Sequence, residues 1–385
     1  VKYMVQNTLG QQWLATHPNS SLRQKMEYYI EPTEQTEEVN AQIKVITPHS
    51  LDPESLTLLD PACGSGHILV EAYDLLKEIY LERGYQIRDI PRVILEKNLY
   101  GLDIDDRAAQ MAGFALLMKA SKDDRRILQD DNPPRLNVMA IQESEGLDAI
   151  KIVQSHPLTQ GRGAGVVGII PDDIAQLLDL FKHGKTFGSL ITIPEELAVK
   201  LPAIAGLVQE NLTAGDLFAQ EAARSLHPLI RQAVMLAGEY DCVVANPPYM
   251  GGKGMAPFLK QYSKKYYPRC QPNLYAMFVE RAYELCRLHG SIGYVTMHSW
   301  MFLPTFEAFR RWLLEHGTIR SMAHLGARAF GAISGEVVQT TAFTYFVDHL
   351  GDYHPTFLDA TDGEEHQKME ILRQKQKSTC HIRQS

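Results

Sequence analysis

The sequence predicts an α/β fold built on a mostly parallel β-sheet, and two observations support that prediction. Short apolar segments typical of buried strands alternate with segments whose apolar residues recur at helical spacing. The first two units are a strand at 56–60 with a helix from His67, and a strand at 98–103 with a helix capped by Asp105 or Asp106. Such alternation is typical of parallel sheets, in which helices form the crossovers.

Five further strands follow, so that seven are expected in total. They are predicted at 136–141, 240–245, 291–297, 319–325 and 337–346, with helices at about 273–289 and 306–315. Between 146 and 237 the alternation is interrupted. We therefore divide the chain into a helical N-terminal arm (1–50), a discontinuous α/β domain (51–145 and 238–350), an insertion (146–237) and a polar C-terminal tail or linker (351–385).

Composition excludes several classes of protein. The 385 residues are 45% hydrophobic and 22% charged, which rules out a disordered chain, a coiled coil or collagen as the overall description. No apolar run reaches the roughly 20 residues of a membrane helix and no signal peptide opens the chain, so a cytoplasmic protein with no membrane partner is expected. The five scattered cysteines never occur as CxxC, so they predict reduced thiols and neither disulfides nor a metal site.

A glycine-rich loop stands between the first strand and its helix. It reads Asp-Pro-Ala-Cys-Gly-Ser-Gly at 60–66, where glycines let the backbone approach a ligand and the helix N-terminus attracts negative charge. The loop fits neither common phosphate-loop spacing closely. Asp103, at the end of the next strand, stands where an acid would accept hydrogen bonds from ribose hydroxyls. The loop and Asp103 together predict that the chain binds a nucleotide-like cofactor. The alternative is that the loop is only a tight turn and the acid only a helix cap, which would explain each of them separately but not their occurrence together.

A second motif, Asn246-Pro-Pro-Tyr249, follows the buried strand at 240–245. Two prolines stop the strand and fix an extended turn with outward-facing carbonyls. Asn246 and the Pro247 carbonyl could accept both hydrogens of one planar NH₂ group, while Tyr249 offers a stacking surface. Accepting both hydrogens would make a conjugated exocyclic amine more nucleophilic, so no general base is strictly needed. The alternative is a loop that merely ends a strand.

In this order the motifs resemble those of adenine-N6 DNA methyltransferases whose target-recognition region lies at the C-terminus. The segments 6–10, 25–30 and 98–106 are more closely similar to the PglX methyltransferases of BREX phage-defence systems. The resemblance covers most of the chain outside 150–235. It implies a Rossmann-like, seven-stranded class I fold that binds S-adenosylmethionine (SAM), with a mostly parallel sheet and a terminal antiparallel strand. Members of that family are much longer, so we expect this chain to be a fragment.

The resemblance also implies roles for particular residues. Backbone groups of the loop would contact the methionine part of SAM, Ile104 would lie against its adenine ring, and Gln142 or Glu143 would approach the adenine amine. Cys63 and His67 are expected to be a small loop residue and a helix-start residue. The implied cofactor-binding residues are Asp60, Pro61, Ala62, Gly64, Ser65, Gly66, Asp103, Ile104 and Gln142. The implied catalytic residues are Asn246, Pro247, Pro248 and Tyr249.

A basic, aromatic segment follows the tetrapeptide. Residues 251–270 carry five cations and no acidic side chain, which offsets the net charge of −8 that disfavours a nucleic-acid partner. Aromatic rings between cations suit an unstacked strand or a flipped base. The alternative is a solvated helix face with half-buried tyrosines. The predicted nucleic-acid contacts are Lys253, Lys260, Lys264, Lys265 and Arg269.

These patterns predict an enzyme that transfers a methyl group from SAM to the N6 amine of adenine in double-stranded DNA, after the base is flipped. Two alternatives stay open: a methyltransferase acting on protein glutamine or RNA, and a SAM-binding module that does not methylate. Only 39 residues follow residue 346, and a module that reads base edges needs about 50 or more. Target recognition is therefore expected from a region or partner subunit outside this chain.

Overall fold

The computed structural model describes residues 1–129, 131–147, 171–213, 217–270, 273–329 and 338–374. Its described strands form one sheet in the order β3-β2-β1-β4-β5-β7-β6-β8. The strands are β1 (Leu58–Asp60), β2 (Leu99–Asp103), β3 (Asn137–Ala140), β4 (Tyr240–Ala245), β5 (Cys286–Met297), β6 (Thr318–Gly326), β7 (Thr340–Phe346) and β8 (Thr356–Asp359). The α/β fold with a mostly parallel sheet is thereby confirmed.

The number of strands differs from the prediction, because the described residues form eight rather than seven. The additional strand, β8, pairs parallel with β6 from Ser321↔Thr356 to His324↔Asp359. It lies within the range expected to be a polar tail, and a helix at Glu365–Gln374 follows it. Four residues with a charged end give too weak an alternation to be recognised as a strand in the sequence. This segment becomes a strand because its backbone forms hydrogen bonds with the edge of β6.

The antiparallel strand is β7, which lies between β5 and β6 and is antiparallel to both. The strand β5 begins five residues before the predicted start at 291, because Cys286 already pairs with Tyr240 before the register shifts. The preceding helix accordingly ends at Leu285. His289, with φ of 64°, lies within this irregular first part of β5.

The helices cover both faces of the sheet. On one face, the N-terminal helices pack with His67–Glu82 and Asp106–Ala120 in a core that includes Leu58 and Val244. On the other face, the described helices of the insertion pack with Leu274–Leu285 and Glu307–His316 in a core that includes Leu59 and Val243. Successive residues of one strand therefore contribute to opposite cores, because side chains alternate between the two faces of a pleated sheet.

The remaining helical segments are short or belong to the arm and the insertion. The α-helices are Lys2–Val5, Gln11–Thr16, Leu22–Lys25, Glu37–Ile46, Ile90–Val93, Pro171–Leu180, Gly184–Phe187, Glu195–Ala198, Leu201–Leu212, Leu217–Ala237 and Pro257–Tyr266. Short 3₁₀ or π turns are Gln6–Gly10, Pro53–Ser55, Ile94–Asn98, Arg125–Leu128, Gly188–Leu190, His298–Met301 and Pro304–Phe306. None of the helices in the described ranges has both the length and the apolar character needed to cross a membrane.

Candidate active site

The two sequence motifs lie at the same edge of the sheet. Strands β1, β2, β3 and β4 are mutually parallel, so their carboxyl ends open on one side. The glycine loop follows β1, Asp103 ends β2, Gln142 follows β3 and Asn246 follows β4. The strand order changes direction between β1 and β4, and ligands of open α/β sheets bind at such a switch point. The fold therefore brings the predicted site residues together.

Two glycines shape the loop after β1. Gly64 has φ of 52° and Gly66 has φ of 85°, a region that side chains rarely adopt. A Cβ added to Gly66 would lie 2.9 Å from the Ala112 backbone, so a glycine lets the loop pack against the helix Asp106–Ala120. A Cβ added to Gly64 would meet no atom within 4 Å. This part of the loop therefore faces open space at the sheet edge.

Asp103 connects the loop after β1 with the loop after β2. Its Oδ2 accepts a hydrogen bond of 2.8 Å from the Gly64 amide, and its Oδ1 accepts one of 2.9 Å from the Asp105 amide. An ionised carboxylate has about four acceptor positions, so both oxygens can accept further hydrogen bonds. Asp105 in turn caps the following helix through the amides of Arg107 and Ala108. The acid is thus fixed in orientation and still able to bind hydroxyls.

Other residues of the loop are buried. Asp60 is 1% exposed and accepts a hydrogen bond from the Ala62 amide, and burial raises its pKa to about 8. Burial, together with Asp60 and Asp103, raises the pKa of the Cys63 thiol. Cys63 therefore stays protonated near neutral pH, in agreement with its interpretation as a small loop residue. His67 begins the helix and its Nδ1 lies 3.1 Å from the Ser65 hydroxyl.

Gln142, which the resemblance places near the adenine amine of the cofactor, forms hydrogen bonds with neighbouring residues. Its Nε2 donates to Asp106 Oδ1 at 2.7 Å, and Lys185 of the insertion lies 2.9 Å from Asp106 Oδ2. The Lys185 ammonium, followed by Gln142, lowers the pKa of Asp106. The neighbouring Glu143 accepts from the Lys185 amide. Ile104 is 50% exposed beside this cluster.

The tetrapeptide after β4 presents an exposed Asn246 above a buried Pro247, with Pro248 exposed. The Tyr249 hydroxyl donates a hydrogen bond of 2.8 Å to Asn246 Oδ1, and burial raises the pKa of Tyr249. The Tyr249 ring meets the Tyr275 ring edge-on, with centroids 6.4 Å apart. An amide acceptor and an aromatic ring therefore lie side by side at the rim of the sheet.

The insertion contributes to the site through residues 188–191, which the sequence did not indicate. The Ser189 hydroxyl donates to the Pro61 carbonyl at 2.6 Å, joining the insertion to the glycine loop. Gly188 has φ of 55°, and a Cβ there would lie 2.8 Å from Ile104. The hydroxyls of Tyr262 and Tyr267 both donate to the Leu190 carbonyl. The neighbouring residues Gly184–Phe187 form a short helix.

The basic segment exposes its lysines together with two of its four aromatic residues. Lys253, Lys260, Lys264 and Lys265 are exposed, and none forms an ion pair with an acidic side chain in the described ranges. Arg269 differs, because it is paired with the 4%-exposed Glu280. Its aromatic rings differ in burial: Tyr267 is buried and Tyr262 is half-buried against Phe187, whose ring centroid lies 4.2 Å away. Phe258 stacks on His183 at 4.7 Å but is exposed, as is Tyr266.

The sheet order, the glycine loop after β1 and the acid ending β2 define the class I methyltransferase-type Rossmann fold. The chain belongs to the Eco57I restriction-modification methylase family, whose model matches residues 97–330. A second model, the DNA-methyltransferase domain of MmeI, matches residues 37–146. The resemblance noted in the sequence is thereby confirmed.

Two curated relatives align with nearly the whole chain. The adenine-specific methyltransferase BrxX of Escherichia coli O9:H4 is 51% identical over 97% of this chain and 32% of its own length. The adenine-specific methyltransferase PglX of Lacticaseibacillus casei is 33% identical over 96% of this chain and 30% of its own length. The chain thus spans about a third of the length of these relatives. Among solved structures, the DNA-bound type ISP enzyme LlaBIII aligns with a TM-score of 0.48 and 14% identity, covering 89% of this chain and 21% of that one.

Proposed function

We propose that this chain transfers a methyl group from SAM to the exocyclic N6 amine of adenine in double-stranded DNA, as part of restriction-modification or phage defence. The observation that carries the proposal is the position of Asn246 at the end of β4, beside the β1 loop. Membership of a restriction-modification methylase family agrees with it. Since its substrate would be cellular DNA, we assign it to the cytoplasm.

The residues around the β1 loop fit SAM. Gly64 faces open space, Ser65 is exposed, and Asp103 keeps acceptor positions for the ribose hydroxyls. The backbone of Pro61, Ala62 and Gly66 and the carboxyl of Asp60 would shape the loop, and Ile104 and Gln142 would border the adenine ring. When bound, SAM supplies an electrophilic methyl group on its sulfonium.

The tetrapeptide would activate the target amine. Asn246 Oδ1 and the Pro247 carbonyl would accept its two N–H hydrogens, which localises the nitrogen lone pair toward the methyl group. The β1 loop and Asp103 would hold SAM, which would supply its methyl group to this nitrogen in exchange for one proton that passes to solvent. The Tyr249 ring would stack on the flipped base, and Pro248 would keep the turn extended. The Tyr249 hydroxyl, which now donates to Asn246, would share or leave that acceptor.

DNA would approach over the exposed lysines that follow the tetrapeptide. Lys253, Lys260, Lys264 and Lys265 are free to contact phosphates, and such contacts supply most non-specific affinity. Arg269 has a lesser part in this scheme, because its guanidinium already neutralises Glu280. Base-specific contacts would come from a recognition region or partner subunits outside these 385 residues.

The test uses SAM with a tritiated methyl group and, in parallel, duplex DNA, total RNA and a glutamine-containing protein substrate. Label in DNA that is recovered as N6-methyladenine supports the proposal. Label in RNA or protein, or SAM binding with no transfer to any of the three, would replace it with one of the two alternatives. Sequencing of the methylated DNA then shows whether modification is scattered, as expected without a recognition region, or confined to one short motif.

A further inference from the structure

Two apolar side chains project from the loop that follows β5. Phe302 is 60% exposed and Leu303 is 48% exposed, at the turn between His298–Met301 and Pro304–Phe306. Strand β5 pairs in parallel with β4, so its carboxyl end opens on the same edge as Asn246. The pair therefore lies on the side of the molecule that carries the candidate active site.

The loop is held firmly despite this exposure. Arg310 donates to the carbonyls of Trp300 and Leu303, each at 2.7 Å. The Trp300 indole donates to Thr296 at 3.0 Å and is 4% exposed. Since these bonds fix the backbone on both sides of Phe302, the two apolar side chains are presented in an ordered conformation. A ligand that covers them would pay little entropy for ordering the loop.

The loop also contacts the tetrapeptide through one intermediate residue. The Ser299 hydroxyl lies 2.8 Å from the Tyr275 hydroxyl, and the Tyr275 ring contacts the Tyr249 ring edge-on. Behind Phe302 lie two imidazoles, His298 and His324, whose nitrogens are 2.9 Å apart. Their ring centroids lie 5.4 and 5.9 Å from that of Phe302. The phenyl ring is thus supported on one side and open on the other.

Base extrusion leaves a gap in the base stack, and DNA-binding proteins can insert apolar side chains such as Phe and Leu between neighbouring bases. Residues 298–306 contain no acidic side chain that would repel phosphates. We propose that Phe302 and Leu303 occupy the space in the base stack that the flipped adenine vacates. This inference rests on the proposed function, because it assigns a DNA contact to the same site. The occupant is the duplex at the target site.

The test uses a duplex carrying the site that the wild-type protein methylates, with 2-aminopurine in place of the target adenine to report extrusion. The double variant Phe302→Ala, Leu303→Ala should show a smaller fluorescence rise. On the unmodified duplex it should lose about tenfold or more in kcat/KM. When the target adenine stands opposite an abasic position, no base pair has to be broken for extrusion. The loss of kcat/KM in the double variant should then shrink to about twofold. The single variant Phe302→Trp should retain extrusion.

The matched control is Leu288→Ala, because Leu288 is 64% exposed but lies in the first part of β5, at the opposite end of that strand from the loop. It should behave as the wild type on both duplexes. Equal losses by the double variant on paired and abasic duplexes would overturn the wedge and indicate a contact with another protein region. An unchanged fluorescence rise would overturn it as well. Absence of methylation by the wild type would instead count against the proposed function.

Discussion

The Tyr249 hydroxyl donates a hydrogen bond of 2.8 Å to Asn246 Oδ1, so the acceptor oxygen of Asn246 already has a partner within the tetrapeptide. An amide oxygen has two lone pairs, and one stays open for a donor from a substrate. The same contact fixes the rotamer of Asn246, which is otherwise exposed. The two residues therefore hold each other in place before a base arrives.

Replacing Asn246 with Ala should abolish methyl transfer while SAM still binds. The variant removes one of two acceptors of the amine and touches no proposed cofactor contact. We expect a loss of roughly 100-fold or more in kcat, as for removal of one preorganised transition-state partner. Calorimetry with SAM and initial rates on DNA measure the two effects. Activity within a few-fold of the wild type would exclude the assigned role of Asn246.

Tyr249→Phe and Tyr249→Ala separate the hydroxyl from the ring. The Phe variant frees the second lone pair of Asn246 and keeps the stacking surface, so kcat/KM should stay within about threefold. The Ala variant should lose more, because stacking on one base contributes about 1–3 kcal/mol. Steady-state kinetics on duplex DNA compare the two. If both variants lose the same amount, the hydroxyl rather than the ring matters.

Asp103→Ala should weaken SAM binding. Hydrogen bonds to a charged group contribute about 1.5–3 kcal/mol, so the dissociation constant should rise about 10-fold or more. Asp103→Asn is the matched control, since it keeps an acceptor for the Gly64 amide and should lose less. Calorimetry on folded protein, verified by circular dichroism, gives both values. Unchanged affinity in the Ala variant would refute the assignment.

Replacing Lys260, Lys264 and Lys265 with Gln should flatten the salt dependence of DNA binding. Each lost phosphate contact removes about 0.9 from the slope of log affinity against log salt. Arg269→Gln is the contrasting variant. Because it strips the cation from buried Glu280, it should lower stability more than it changes the slope. DNA-binding titrations at several salt concentrations measure the slope for each variant. If the slope of the triple variant equals that of the wild type, the three lysines belong to an ordinary solvated helix face that does not contact DNA.

Asp60→Asn should remove a pH dependence of stability. Burial raises the pKa of Asp60 to about 8 from 3.8, so between these values the folded state holds a proton that the unfolded state has released. Wild-type stability should therefore fall with rising pH in that window, by up to about 1.4 kcal/mol per pH unit relative to the variant. Urea unfolding at pH 5, 6 and 7 measures both slopes. Parallel slopes would show that Asp60 ionises normally.

The parts of this fold that the sequence predicts are those with strong local signals. The strand at 240–245 and the turn at Asn246 were predicted at the positions observed, because a run of buried residues meets two prolines. Strand β8 and the early start of β5 depend on pairing with distant strands, which leaves little local trace. The same applies to Arg269, whose ion pair with Glu280 follows from packing rather than composition.

The segment Gly188–Leu190 has a consequence for how the two sides of the site can act. Through Ser189 it holds the glycine loop. Through the Leu190 carbonyl it holds Tyr262 and Tyr267, which lie in and directly after the helix that carries Lys260, Lys264 and Lys265. One short piece of backbone is therefore common to both surfaces. If a ligand on one surface shifts it, affinity on the other must change, and by the same factor in either direction. A comparison of SAM affinity with and without DNA would thus also measure the effect of SAM on DNA binding.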